Sequence, residues 1–176
     1  MAGLKADQDV QRAAMTKLAF LIGKWEGEMR VYRGPGEPVA LTMTEDASWR
    51  LDGLILLIEG VGRTEADGKP VLQAFGFISY DDARAAYVMR AFNDGRFVES
   101  EVKLIEPTHP SSRDAGTKDG APNPQLTLTW GFGVEHVRTS SVLRINEMGE
   151  WTELHEITIG DQPAKKFMEL TVRRVG

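Results

Sequence analysis

Of the side chains that titrate near neutral pH, this sequence has three histidines, His109, His136 and His155, and no cysteine. His155 follows Glu153 by two residues and shares the parity of Trp151 and Ile157. A strand there would therefore show Glu153 and His155 on one face. A Glu-x-His pair on one strand face has the chemistry of an acid–base couple or of two metal ligands. The plainer alternative is an interior histidine held by a hydrogen bond. His109 lies in a Pro-rich stretch and His136 takes a polar parity, so the three are too scattered for a metal site, and no metal is expected. Without cysteine, disulfide frameworks, thiolate zinc sites, iron–sulfur clusters and thiol nucleophiles are excluded. There is no phosphate loop, no Gly-x-Ser-x-Gly elbow, no His-Glu-x-x-His pair and no dinucleotide fingerprint. Gly60-x-Gly62 leads into polar residues rather than a helix and reads as a bend or bulge.

A second signal is polar residues on parities that otherwise face inward. Glu45 stands among Leu41, Met43 and Trp49, and Gln73 beside Phe75 and Phe77. Ser100 lies between Val98 and Val102, and Thr139 and Ser141 lie between Val137 and Leu143. Burying one unpaired polar group costs about 1–3 kcal/mol, so a dry core avoids such a set, whereas a wet cavity tolerates it. The expected ligand-binding residues follow. Trp49, Phe75, Phe77, Met89 and Trp130 supply an apolar lining, and Glu45, Gln73, Ser141 and His155 orient a polar end. The parity of Leu126, Leu128 and Phe132 turns Trp130 toward the same interior as His155. The expected function is non-enzymatic binding of a small hydrophobic or amphipathic molecule. The alternative is an enzyme of isomerase or hydratase type, in which His155 with Glu153 or Glu45 moves a proton. No residue is assigned as catalytic.

These residues need elements to position them. Leu4, Val10, Ala14, Leu18, Leu21 and Ile22 fall near helical spacing, so the spacing predicts a helix over 1–22, with Asp7 or Asp9 as its cap and Gly23 as its stop. Thereafter the period is two. Strands are predicted over 24–33, 40–51, 54–64, 71–80, 85–93, 96–105, 125–132, 135–145, 151–159 and 164–174, with turn signals such as Asp52-Gly53 and Asn93-Asp-Gly95 between most of them. Short turns and no helical crossover make this an antiparallel meander. Its apolar and polar faces alternate, as when a sheet closes on itself. The expected fold is all-β, a single domain over 1–176 built as a ten-stranded up-and-down barrel with an N-terminal helix. The stretch 106–123, rich in Pro and charge and poor in hydrophobes, reads as a flexible insertion.

The 176 residues carry a formal charge of −5, which argues against nucleic-acid binding. The longest apolar run, Leu54 to Ile58, is too short to span a bilayer as a helix. The first residues lack a signal core, so a cytoplasmic location is expected. The oligomeric state is left open, a homodimer included.

The segment Leu18 to Gly27, with its Gly23-x-Trp25-x-Gly27 pattern, resembles the helix-to-first-strand junction of calycin-type barrels. Phe75 to Asp81, Ala86 to Val88 and Phe167 to Arg174 are similar to segments of the bacterial lipocalin-like DUF1579 group. The resemblance implies a barrel of this type and brings no reaction and no catalytic residues. More distantly, the same opening pattern resembles nitrobindin-like barrels, in which a histidine on the last strand ligates haem iron. The corresponding strand here has no histidine, with Phe167 about where the ligand would stand, so no haem or other cofactor is expected.

Overall fold

The computed structural model describes residues 5–93, 95–106 and 126–175. Ten strands follow one another as β1 (Gly23–Val31), β2 (Val39–Arg50), β3 (Ile55–Thr64), β4 (Pro70–Asp81), β5 (Ala86–Asn93), β6 (Arg96–Ile105), β7 (Thr127–Val134), β8 (Val137–Ile145), β9 (Trp151–Ile159) and β10 (Lys165–Val175). Each pairs antiparallel with its sequence neighbours, and β1 closes the ring on β10 from Lys24↔Val175 to Val31↔Met168. The fold is thus an all-β closed barrel with one N-terminal helix. Among the described residues, no helix is long and apolar enough to cross a membrane. The predicted insertion, apart from Glu106, and His109 lie outside the described residues.

The helix is shorter than the sequence spacing suggests. Helix α1 runs only over Gln8–Thr16, and a separate 3-10 turn covers Ala19–Leu21. Asp7 caps α1, its carboxylate accepting the backbone N–H groups of Asp9 and Val10 at 3.1 and 3.2 Å. Asp82, just beyond β4, fixes this end of the helix to the barrel by accepting from the Asp7 N–H and from Gln11 Nε2, both at 2.8 Å. The break after Thr16 has a packing reason. It lets Met15, Leu18 and Leu21, all fully buried, point together into the barrel base.

That base also explains the Gly-x-Trp-x-Gly pattern. Trp25 is buried, donates Nε1–H to the Leu21 carbonyl at 2.9 Å, and meets Trp151 edge-on with ring centroids 5.5 Å apart. The Arg174 guanidinium covers the indole at 4.3 Å and donates to the carbonyls of Phe20 and Ile22. A Cβ at Gly27 would sit 2.1 Å from the Thr171 carbonyl oxygen, so only glycine lets β10 approach β1 this closely.

Two local features redirect side chains. In β4 the inward row is Leu72, Ala74, Gly76 and Ile78, paired with Gly62, Gly60, Ile58 and Leu56 of β3. The expectation that Gln73 and Phe77 face the interior is therefore corrected; they are one residue out of phase with the inward row, as is Phe75, which nonetheless borders the cavity. In β10 a bulge between Lys166 and Met168 leaves Phe167 without a partner on β9, and both Phe167 and Met168 reach the interior. The β7–β8 turn falls at Glu135 and His136, two residues later than predicted, with Glu135 in the left-handed region at φ 52°.

Candidate functional site

The helix and the two tryptophans fill one end of the barrel. The other end stays open as a cavity of about 400 Å³, within the range of small-molecule sites. Small inward residues make the room. Gly60, Ala74, Gly76 and Ala91 form a thin wall where the barrel could have carried large side chains. Met29, Met43, Ile58, Leu72, Met89, Leu128, Trp130, Phe132 and Phe167 supply most of the remaining apolar surface. Asn93 and Arg96, beside the β5–β6 turn, mark the rim.

One corner is polar. Glu153 accepts Trp151 Nε1–H at 2.7 Å through one carboxylate oxygen, and its other oxygen meets His155 Nε2 at 2.8 Å. His155 Nδ1 lies 2.8 Å from Ser141 Oγ on the neighbouring strand β8, where the register pairs Ser141 with His155. With an acceptor at Nε2, the consistent tautomer keeps the proton there, so Nδ1 accepts from the Ser141 hydroxyl. Trp130 and Phe167 hold the imidazole between them, with centroids 6.0 and 5.9 Å away. The result is a linear Ser141–His155–Glu153 array, anchored by an indole and facing an apolar space.

Glu45 completes the corner from β2. It is 8% exposed and lines the cavity, and no described residue donates a hydrogen bond to it. No fully buried side-chain nitrogen or oxygen among the described residues lacks a partner, so the Glu45 oxygens retain contact with the cavity space. Burial pushes this carboxyl well above the ordinary carboxylate range, and the like charge of Glu153 adds to the shift.

Of the expected site residues, the structure brings Glu45, Met89, Trp130, Ser141 and His155 around this space. Phe75 borders it while remaining 44% exposed. Gln73 and Phe77 lie outside it, for the phase reason given above, and Trp49 packs against the core without lining the cavity. Phe167 and the small-residue wall were missed. The bulge left no mark on alternation, and glycines in a strand were read as bends. Among the described residues, no group of three His, Asp or Glu could hold a metal ion.

No family model matches the chain, and no curated protein matches it either. Solved structures do: 14 chains match, among them the crystal structure of Rv2717c from M. tuberculosis. That match has a TM-score of 0.68 over 93% of this chain and 98% of the other. The two chains share the closed antiparallel barrel fold. At 15% identity the likeness is one of fold alone.

The haem implied by the nitrobindin-like resemblance finds no fit. The last strand, β10, carries no histidine, Phe167 packs against His155, and both nitrogens of His155 are engaged, one by Ser141 and one by Glu153. No lone pair is left directed at an iron.

Proposed function

We propose that this barrel binds a small, mainly hydrophobic molecule whose polar end reaches the corner formed by Glu45, Ser141 and His155. The observation that carries the reading is the cavity itself, about 400 Å³ with apolar walls and a single hydrogen-bonded polar corner. An interior evolved only for stability would be packed to crystal-like density, because an unfilled space forfeits dispersion contacts and destabilises. Native mass spectrometry of freshly purified protein should show a retained molecule of a few hundred daltons. A fluorescent apolar probe should bind one to one and quench tryptophan emission through Trp130. His155→Leu should weaken polar-headed ligands about tenfold and plain hydrocarbons little. A probe that never binds removes the proposal.

The Ser141–His155–Glu153 array favours a second reading, a proton-moving enzyme of isomerase or hydratase type. An imidazole with Nδ1 on the Ser141 hydroxyl and Nε2 on the Glu153 carboxylate can take the serine proton while the carboxylate stabilises the charge that forms. Incubating the retained molecule with the protein in D2O tests this. Deuterium appearing at carbon in the presence of the protein, and not with His155→Leu, supports the enzyme over the binding barrel.

A further inference from the structure

The deep end of the cavity has an unusual charge balance. Glu45 pairs in register with Trp25, which places it near the helix-plugged base, and Arg96 opens β6 at the opposite end. The strands flanking β2 turn Trp25, Met29, Ile58 and Gly60 inward, none of them titratable. The titratable groups that the cavity brings to Glu45 are Glu153 and His155 of β9, and the Glu153 charge is felt at Glu45. Two carboxyl groups thus face one apolar space, and no lysine or arginine among the described lining residues accompanies them at that depth. Glu153 has partners for both oxygens. Glu45 has none among the described residues, and a Cβ at Gly60 would lie 2.8 Å from both of its oxygens, so the backbone of β3 confines the carboxyl.

We infer that the cavity selects an amphipathic amine, with its ammonium group held at Glu45 and its hydrocarbon body along the Met43, Met89, Trp130 and Phe167 walls. The inference rests on the binding-barrel reading and names the class of ligand. An ammonium supplies the hydrogen-bond donors and the positive charge that this corner lacks. An anionic head would face Glu153 across a low-dielectric space and is rejected. An alcohol gains a hydrogen bond without the charge term. Burial disfavours ionisation of Glu45, so a cation that needs the carboxylate draws its proton off to solvent, and binding and proton release are coupled.

Decylamine, decanol and decanoate, each below its micellar concentration, provide the test by isothermal calorimetry at pH 7. Decylamine should bind at least tenfold more tightly than decanol, with decanoate weakest. Repeating the titration in buffers of different ionisation enthalpy should show proton release on binding decylamine and none on binding decanol. Glu45→Gln should weaken decylamine at least tenfold and abolish its proton release. If decanol binds as well as decylamine, or decanoate binds best, the amine inference falls and the binding barrel stands. If none of the three binds, both fall. The wild-type comparison and the proton count decide the matter even if Glu45→Gln does not fold.

Discussion

The two ends of this barrel are built on opposite rules. At the helix end Met15, Leu18, Leu21, Trp25 and Trp151 are buried, and the indole N–H groups have acceptors at Leu21 and Glu153. At the turn end the large hydrophobes stay in contact with solvent. Phe92, Phe97, Val134 and Ile159 are all more than half exposed, and the space between the strands is open. Close packing is therefore concentrated in the plug, and open space in the half that the plug leaves unfilled.

The sharpest way to break this division is to truncate one aromatic at each end. Trp25→Ala should cost about 3–5 kcal/mol of unfolding free energy, since it removes a fully packed indole and leaves a cavity. Phe97→Ala, on the exposed face of β6, should stay within about 0.5 kcal/mol. Urea denaturation of both variants measures the contrast. Similar losses would mean that the plug carries no special share of the stability.

Glu153 joins the two ends, because it accepts from Trp151 at the base and from His155 in the cavity. Glu153→Ala leaves the indole N–H and the imidazole without their acceptor, and should cost about 1–3 kcal/mol. The same change should weaken polar-headed ligands. A stability loss with unaltered binding would assign Glu153 to the plug alone.

The smallest effect expected is that of Glu45→Gln on stability, and it is visible only through pH. The folded-state pKa of Glu45 lies above its ordinary value of 4.5, so the folded protein holds a proton that the unfolded chain has released. Wild-type stability from this group is complete below that value and is lost as pH rises toward the folded pKa. Glutamine cannot ionise. Thermal unfolding should show the variant gaining on wild type from pH 4 to pH 8, and a constant difference would contradict the buried, protonated Glu45.

Much of this was legible in residue order. Alternation in β7, β8 and β9 turned Trp130, Ser141, Glu153 and His155 inward, because one side of each strand is wet and the other is not. The same rule failed in β4. There Phe75 and Phe77 were expected as an inward apolar lining, while the inward row is Leu72, Ala74, Gly76 and Ile78. A core filled to capacity puts its largest residues inside, but a wall around a cavity must be thin, so the small residues of this strand and not its phenylalanines form the inward row. Phe167 escaped for a different reason. A bulge adds one residue to one strand, and nothing in the composition of Lys166-Phe167-Met168 announces the extra step.

The β6–β7 junction is closed partly by a side chain. Backbone pairing there is restricted to Lys103↔Thr129, Leu104↔Leu128 and Ile105↔Thr127, whereas β1 and β2 share nine register pairs. Beyond those three, Ser100 takes over from the ladder, donating its hydroxyl to the Gly131 carbonyl at 2.7 Å and accepting the Gly131 N–H at 3.3 Å. A closed barrel normally offers no strand edge to a stranger, but here the row of main-chain groups is interrupted midway. One serine hydroxyl satisfies both polar groups of a residue that would otherwise be a docking point for another chain. The hydroxyl thereby stands in for a main-chain partner at the place where this ring is most weakly stitched.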